Sequence, residues 1–314
     1  MTRHSGFLWA TAAFLCSLSV LGLRAHQAPN HDNPSAQAGQ AASEPHRLSY
    51  GSFGYVADPF YDRVPPELPT NLKSGGILVY SKTNGWRDEP ALEASTAVLV
   101  AIAVEHHWLV FATENAAVMN KEQLRHFKVV FWNNNSGDTL TPDQRAAFKE
   151  WLESGGTYIG IHGSGGDPVV NQGHTSLADW PWYIQSVVGA QFRMHSTIQV
   201  ADIHVDTSSP IMHNLPAVWP RADEFYGFTN NPEQEPGFHI LAKVDESTYS
   251  APPPARMGPD HPLAWWHCVG KGHALYSAMA HGGSMYAEPL TIQFLDNAMS
   301  WGVSVSGHPC GAKR

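Results

Sequence analysis

TPDQRAAFKEWLESGGTYIGIHGSGGD, residues 141–167, is the stretch of sequence on which the fold prediction rests. Its first four letters form a capping box with proline at the first helical position, so a helix is predicted over 141–153. The two glycines that follow end this helix. The apolar run at 157–161 then predicts a buried strand. A helix, a tight turn and a buried strand in succession are typical of α/β folds.

The same alternation extends upstream to residue 75. Apolar runs predict strands at 77–80, 108–111 and 128–132, and apolar residues at helical spacing predict helices at 90–106 and 119–127. Such alternation indicates right-handed βαβ units in a doubly wound parallel sheet. Polar segments follow three of the strands and are expected at the carboxyl edge of the sheet, where ligands bind; they lie at 82–88, 133–138 and 162–167.

Downstream of residue 190 the pattern is rich in strands. They are predicted at 196–205, 239–244, 263–268 and 273–280, with a closing helix at 288–301. The last two strands flank VGKG, a hairpin signal. Pairing Cys268 with His273 would place His261 and His281 at one end of this hairpin. The predicted fold class is α/β, a flavodoxin-like, doubly wound and mostly parallel sheet with a strand-rich C-terminal part.

Composition narrows the class of ligand. Only 15% of the 314 residues are charged and the formal net charge is −9, so the sequence lacks the basic footprint of a nucleic-acid-binding protein. The 11 Trp and 18 His suit a protein that handles neutral polar ligands such as sugars, although Trp also fills cores. We expect a small-molecule carbohydrate as partner, and the oligomeric state is left open.

The N-terminus has the pattern of a targeting signal. A short basic segment at 3–4 precedes an apolar stretch at 7–23, so residues 1–25 are predicted to be a signal peptide and the protein to be periplasmic or secreted. An uncleaved membrane anchor is the alternative. After cleavage, the mature chain would contain no membrane span.

The mature chain divides into three predicted parts: a flexible linker and N-terminal arm over 26–72, the main domain over 73–304 and a C-terminal tail over 305–314. Cys268 and Cys310 remain after cleavage. An oxidising compartment would let them pair, and whether Cys310 reaches Cys268 is left open.

Histidines and carboxylates supply the candidate chemistry. His162 follows a predicted strand at a turn of small residues, where it could bind a metal, act as a general base, hydrogen-bond a substrate or merely cap the next segment. The segment DEFY at 223–226 offers Glu224 as a proton-transfer group or ligand, or a surface salt bridge. No HExxH, CxxC, GxSxG or P-loop motif is present, so zincin, thioredoxin-like, α/β-hydrolase and NTPase functions have no support.

Two further segments are candidates for ligand contact. KTNGWR at 82–87 follows the first predicted strand and is typical of a ligand-binding loop. DWPWY at 179–183 offers a stacking platform, or it starts a helix with proline near its N-terminus.

These segments, in this order, resemble the ThuA-like (trehalose utilisation) family over about residues 75–303. The matching pieces are SKTNGWR at 81–87, GG at 155–156 with GIH at 160–162, DWPWY at 179–183, VGAQF at 188–192, DEFY at 223–226, DESTY at 245–249, MGPDHPLAW at 257–265 and AH at 280–281. No single piece is decisive, but the ordered set is specific.

The resemblance implies a fold similar to class I glutamine amidotransferases, which use a Cys-His-Glu triad. His162 stands where their cysteine would be and His281 where their histidine would be, so thiolate chemistry on glutamine is excluded. With His261 from the hairpin, three imidazoles near a carboxylate would make a site for a divalent metal such as zinc. One departure is Asp88, where the family often has His.

We therefore expect a metal-assisted enzyme of disaccharide or keto-glycoside catabolism, acting by hydrolysis or isomerisation, with a non-catalytic sugar-binding or accessory domain as the alternative. The expected catalytic residues are His162, Glu224 and His281, and the expected metal ligands are His162, His261 and His281. The expected substrate-binding residues are Lys82, Thr83, Trp86, Arg87, Trp180, Trp182 and Tyr226.

Overall fold

The computed structural model describes residues 54–56, 58–72, 75–169 and 173–312. The predicted signal peptide and the first part of the predicted linker lie outside these residues. Within the described ranges, no helix has both the length and the apolar character needed to cross a membrane.

Eleven strands and four α-helices are present in these ranges. The strands are β1 (Gly76–Tyr80), β2 (Val110–Thr113), β3 (Phe127–Asn133), β4 (Thr157–Ile161), β5 (Phe192–His195), β6 (Gln199–Val205), β7 (Val218–Asp223), β8 (Tyr226–Phe228), β9 (His239–Val244), β10 (Pro262–Val269) and β11 (Gly272–Ser277). The helices are α1 (Glu89–Glu105), α2 (Lys121–Leu124), α3 (Pro142–Glu153) and α4 (Pro289–Val305).

Nine strands form one sheet in the order β2-β1-β3-β4-β11-β10-β9-β6-β7, and β5 pairs with β8 separately. The first five strands are mutually parallel, whereas β10, β9, β6 and β7 are each antiparallel to their neighbours. The prediction of a mostly parallel sheet is therefore right for the first half and wrong for the second, because the sheet is mixed. The short turn after β10 reverses the chain, since only a longer crossover could keep the strands parallel.

The parallel half is built by local signals. All five residues of β1 and of β4 are buried, as expected for strands covered on both faces. Helices α1 and α4 contribute to the apolar core on one face of the sheet, and α2 and α3 to the core on the other. The predicted capping box of α3 is confirmed, because Thr141 and Gln144 each accept a hydrogen bond from the other's backbone N–H.

The predicted hairpin register is also confirmed. Cys268 pairs with His273, and the ladder continues to Ala264 opposite Ser277. It ends there, and the chain after β11 leaves the ladder before His281. The register therefore cannot be used to place His281 at the same end of the hairpin as His261.

The C-terminal tail is fastened to the sheet. A disulfide joins Cys268 on β10 to Cys310, and the backbone N–H of Cys310 donates to the carbonyl of Lys271, at 2.8 Å. Helix α4 runs to Val305, four residues past its predicted end.

Candidate functional site

His162 is displayed at the carboxyl edge of the sheet by a sharp turn after β4. Its φ is +40°, a left-handed conformation that few non-glycine residues adopt. Gly165 and Gly166 permit the turn, because a Cβ at either position would lie 2.5–2.6 Å from the ring of Tyr276 or the hydroxyl of Tyr226. The hydroxyl of Tyr276 also donates to the carbonyl of His162, at 2.8 Å. The turn is therefore held by packing and hydrogen bonding together.

One ring nitrogen of His162 is hydrogen-bonded to the backbone, and the other faces polar side chains. Nδ1 lies 2.8 Å from the carbonyl of Ala278, so it carries the proton of that hydrogen bond. Nε2 lies 3.0 Å from Nδ1 of His281, 3.3 Å from Oε1 of Glu224 and 2.7 Å from the hydroxyl of Tyr226. Three polar atoms thus converge on a single nitrogen.

The buried carboxylate of Asp223 sets the position of His281. It accepts hydrogen bonds from the backbone N–H groups of Ala280 and His281, at 2.7 and 3.1 Å, and from that of Glu224. Ala280 has φ +72°, so these bonds hold the chain in a left-handed turn that alanine rarely adopts. Asp223 and Glu224 are both buried, so the surface salt bridge considered for this pair is wrong.

Together, His162, Glu224 and His281, here called the His–Glu cluster, form the one group of potential metal ligands within the described residues. Their facing atoms are 3.0, 3.2 and 3.3 Å apart. Ligands of a tetrahedral zinc ion bound at about 2.0–2.1 Å are separated by roughly 3.3 Å. Two imidazoles and one carboxylate also match the donor types that zinc and similar divalent ions prefer. The residues therefore fit a divalent metal.

The charges within the cluster are coupled. Burial alone would lower the pKa of His162, but its contact with the carboxylate of Glu224 reverses the effect and raises it. Burial would raise the pKa of Glu224, but His162 lowers it below its ordinary value. The pKa of His281 is lowered by burial and by the neighbouring charge of His162. In the metal-free cluster, Glu224 therefore favours the protonated form of His162, and burial and His162 disfavour the protonated form of His281.

His261 is not part of the cluster, which corrects its predicted role as a third imidazole ligand. Its Nδ1 contacts Glu246 Oε1 at 2.8 Å, and its Nε2 lies 2.7 Å from the carbonyl of Tyr226. Both ring nitrogens are thus occupied in a fully buried position. Glu224, which was assigned a proton-transfer role, takes the place of His261 in the set of potential ligands.

The predicted ligand loop contributes only part of what was expected of it. Lys82 is buried and forms an ion pair with Asp62, at 2.8 Å. Arg87 is enclosed by Glu89 and Glu114, and its guanidinium also donates to the hydroxyl of Thr83. Lys82, Thr83 and Arg87 therefore serve the loop's own structure and do not line the cavity beside the cluster, whereas Trp86 does.

The segment at 179–183 lies on another face of the domain. Trp180 and Trp182 pack edge-on against Phe148 of α3, with ring centroids 6.1 and 6.5 Å from it. Neither lines the cavity beside the cluster, which corrects their predicted role as a substrate platform. The alternative is confirmed, since a helical turn at Tyr183–Val188 follows directly.

A cavity of about 390 Å³ opens over the His–Glu cluster. Of the predicted residues, Trp86, Tyr226 and the three cluster residues line it. The lining residues that had not been predicted include Tyr55, Asn134, Asp167, Phe192 and His195. His195 matters most, because its Nδ1 lies 3.2 Å from the second oxygen of Glu224. Its strand, β5, has only four residues, too few to show a clear alternating pattern.

Asp167 should make stability depend on pH. Burial raises its pKa to about 7, although the backbone N–H groups of Leu177 and Gly137 oppose the rise. A carboxyl group whose pKa is raised on folding contributes stability that is complete below pH 4 and lost as the pH rises through 7. We expect Asp167→Asn to remove this slope, which amounts to about 4 kcal/mol between pH 4 and 7. Urea unfolding of both proteins across this range measures it, and a constant difference between them would contradict it.

The fold has relatives among solved structures. It is similar to a ThuA-like protein from Bacteroides uniformis, at 22% identity and a TM-score of 0.62, over 78% of this chain and 97% of that one. A ThuA-like protein from Parabacteroides merdae matches at 14% identity and a TM-score of 0.54, over 77% and 93% of the two chains. At these identities the likeness shows the fold alone. No curated protein matches in sequence.

The family model described as trehalose utilisation matches residues 76–302. This range covers all eleven strands and nearly all of the last helix, together with every residue of the His–Glu cluster. The resemblance predicted from the sequence is thereby confirmed, and the chain belongs to the ThuA family.

Proposed function

We propose that this protein is a secreted or periplasmic, metal-assisted enzyme that acts on a disaccharide or keto-glycoside by hydrolysis or isomerisation. The observation that carries the proposal is the His–Glu cluster beneath a cavity large enough for a small saccharide. The family's description, trehalose utilisation, supports a carbohydrate ligand. The disulfide between Cys268 and Cys310 supports an oxidising compartment.

In this proposal Nε2 of His162, Nδ1 of His281 and Oε1 of Glu224 hold a divalent ion. Such an ion supplies Lewis-acid polarisation of a carbonyl or hydroxyl oxygen, or activation of a water molecule. Nδ1 of His162 donates a hydrogen bond to the carbonyl of Ala278. This bond fixes the orientation of the ring and leaves the lone pair of Nε2 available to the metal. Asp223 positions the second imidazole through the backbone, because it accepts a hydrogen bond from the N–H of His281.

Tyr226 and His195 are the proposed groups for hydrogen bonding and proton transfer. Burial and the charge of Glu224 raise the pKa of Tyr226 well above its ordinary value, so its hydroxyl stays protonated and can donate to a substrate oxygen. His195 is half-exposed at the cavity and contacts Oε2 of Glu224. It can pass a proton between the cavity and solvent, because its ring lines the cavity and is half-exposed.

Metal analysis of the purified protein is the test. We expect near-stoichiometric metal in the wild-type protein and loss of at least nine-tenths of it in His281→Ala, which removes one of the three ligands. His204→Ala is the matched control, because His204 is an exposed histidine outside the cavity. It should keep its metal.

The outcomes separate the proposed enzyme from a sugar-binding module. Metal in the wild type, lost only in the cluster variant, would direct a search for turnover among disaccharides and their keto forms. If the protein takes up no metal even after incubation with zinc, the metal-assisted mechanism is wrong. Sugar binding without turnover would then favour the non-catalytic alternative.

A further inference from the structure

The family match begins at residue 76, and a part of the chain that precedes it reaches the candidate site. This N-terminal arm comprises the described residues 54–56 and 58–72. It contributes Tyr55 to the lining of the cavity. One wall of the site therefore comes from outside the family domain.

The arm is hydrogen-bonded to the loop that carries Trp86. Tyr55 and Trp86 form an antiparallel bridge. The N–H of Val56 donates to the carbonyl of Gly85 at 2.8 Å, and the N–H of Arg87 donates to that of Gly54 at 3.0 Å. Directly opposed residues in an antiparallel pair project their side chains to the same side. The bridge therefore places both rings on the side of the cavity, where both are half-buried.

Each of the two rings stacks on a histidine. The indole of Trp86 stacks on His281, with centroids 6.0 Å apart and planes 22° apart. The ring of Tyr55 stacks on His174, at 4.1 Å and 10°. His174 covers one face of Tyr55, and Tyr55 also lines the cavity. Trp86 thus provides a surface next to His281 of the cluster, and Tyr55 provides a second aromatic surface in the same cavity.

Asp62 anchors the arm to the rest of the domain. The carboxylate of Asp62 pairs with Lys82 and accepts from the backbone N–H of Ala116 at 2.9 Å. The backbone carbonyl of Asp62 accepts a hydrogen bond from the side-chain amide of Gln144, at 2.7 Å. These contacts tie the arm to three separate segments of the domain. They also neutralise Lys82, and no Lys or Arg lines the cavity among the described residues.

We propose that Tyr55 contacts the substrate and that the arm makes the cavity selective for an uncharged saccharide of two rings. One ring would lie over Trp86 beside the cluster, and the second would lie on Tyr55. The hydrophobic C–H face of a pyranose suits such flat aromatic surfaces. This inference rests on the proposed function for the saccharide class but does not require the metal.

Calorimetric binding of disaccharides, trehalose among them, and of their component monosaccharides tests the inference. Tyr55→Ala removes the ring but keeps the backbone bridge. We expect disaccharide affinity to fall about tenfold, or roughly 1.4 kcal/mol, with monosaccharide affinity changed less than twofold. Tyr55→Phe should stay within threefold of wild type, because it keeps the ring. Tyr61→Ala is the control, since Tyr61 lies in the same arm and contacts Asp138 instead of the cavity.

Metal content and thermal unfolding of each variant complete the test. Unchanged disaccharide affinity in Tyr55→Ala would overturn the inference, as would an equal loss for both sugar classes. Selective loss in a protein without metal would support the inference while the metal mechanism failed. Bound metal with no saccharide binding in the wild type would overturn the inference and leave the cluster in place.

Discussion

Replacing Asp223 by Ala is expected to lower the free energy of unfolding by about 3–5 kcal/mol. The side chains of Asp223 and Arg221 are each 1% exposed and lie 3.0 Å apart, as an ion pair rather than an aligned hydrogen bond. Removal of the carboxylate leaves a buried guanidinium without its nearest counter-charge, and the carboxylate of Glu288 remains 4.0 Å away. The removal also leaves the backbone N–H groups of Ala280 and His281 without their acceptor. Both losses lower the free energy of unfolding, because unpaired polar and charged groups are destabilising when they are buried.

Denaturant unfolding measures the loss, with Asp260→Ala as the control. Asp260 forms an exposed ion pair with Lys243, and its removal should cost about 0–1 kcal/mol. Asp223→Asn keeps the shape and one acceptor oxygen, so its effect should be intermediate. Metal content should fall in Asp223→Ala as well, because His281 loses the anchor that orients it. A loss below about 1 kcal/mol would show that the buried pair does not hold this part of the fold.

The parallel half of the sheet could be predicted from the sequence because its signals are local. A strand covered on both faces, such as β4, is a continuous apolar run, and the cap of α3 lies within four residues. The position of His162 follows from the same signals, since it is the first residue after β4. These features depend on near neighbours in the chain, which the sequence shows directly.

The other half of the site depends on pairing between distant segments. Tyr226 lies on β8, which has three residues, and it pairs with His195 at the end of β5. Strands of this length have no clear periodic pattern, and their partners are some thirty residues apart. Asp223 ends β7, which contains a proline and lies at the edge of the sheet. The sequence marked the carboxylates as chemically notable but could not place them beside His162.

Side-chain direction was the other missing information. Lys82 and Arg87 have the residue types expected of a ligand loop, and their loop does lie beside the cavity. Their partners Asp62 and Glu114 come from distant positions and turn both cations away from it. A cavity without Lys or Arg in its described lining is better suited to a neutral saccharide than to a sugar phosphate.

Glu224→Gln is expected to have the largest effect on activity. Gln keeps the shape of the side chain but removes the only carboxylate among the three potential ligands. We expect metal content below a tenth of the wild-type value and turnover of the preferred saccharide reduced at least 100-fold, within the range typical of proton-transfer groups. Elemental analysis and steady-state kinetics measure the two effects. Glu233→Gln, which neutralises a carboxylate of a surface ion pair, should change neither.

The same variant separates a metal site from a network of shared protons. The carboxylate of Glu224 holds the pKa of His162 above its ordinary value, so in the metal-free protein Glu224→Gln should lower the pH at which His162 titrates by NMR. A lower titration point with loss of metal supports both the ion pair and the ligand set. A lower titration point in a protein that never binds metal would leave His162 and Glu224 as an acid–base pair. An unchanged titration point would mean that the two side chains do not interact, and the cluster would fail as the catalytic centre.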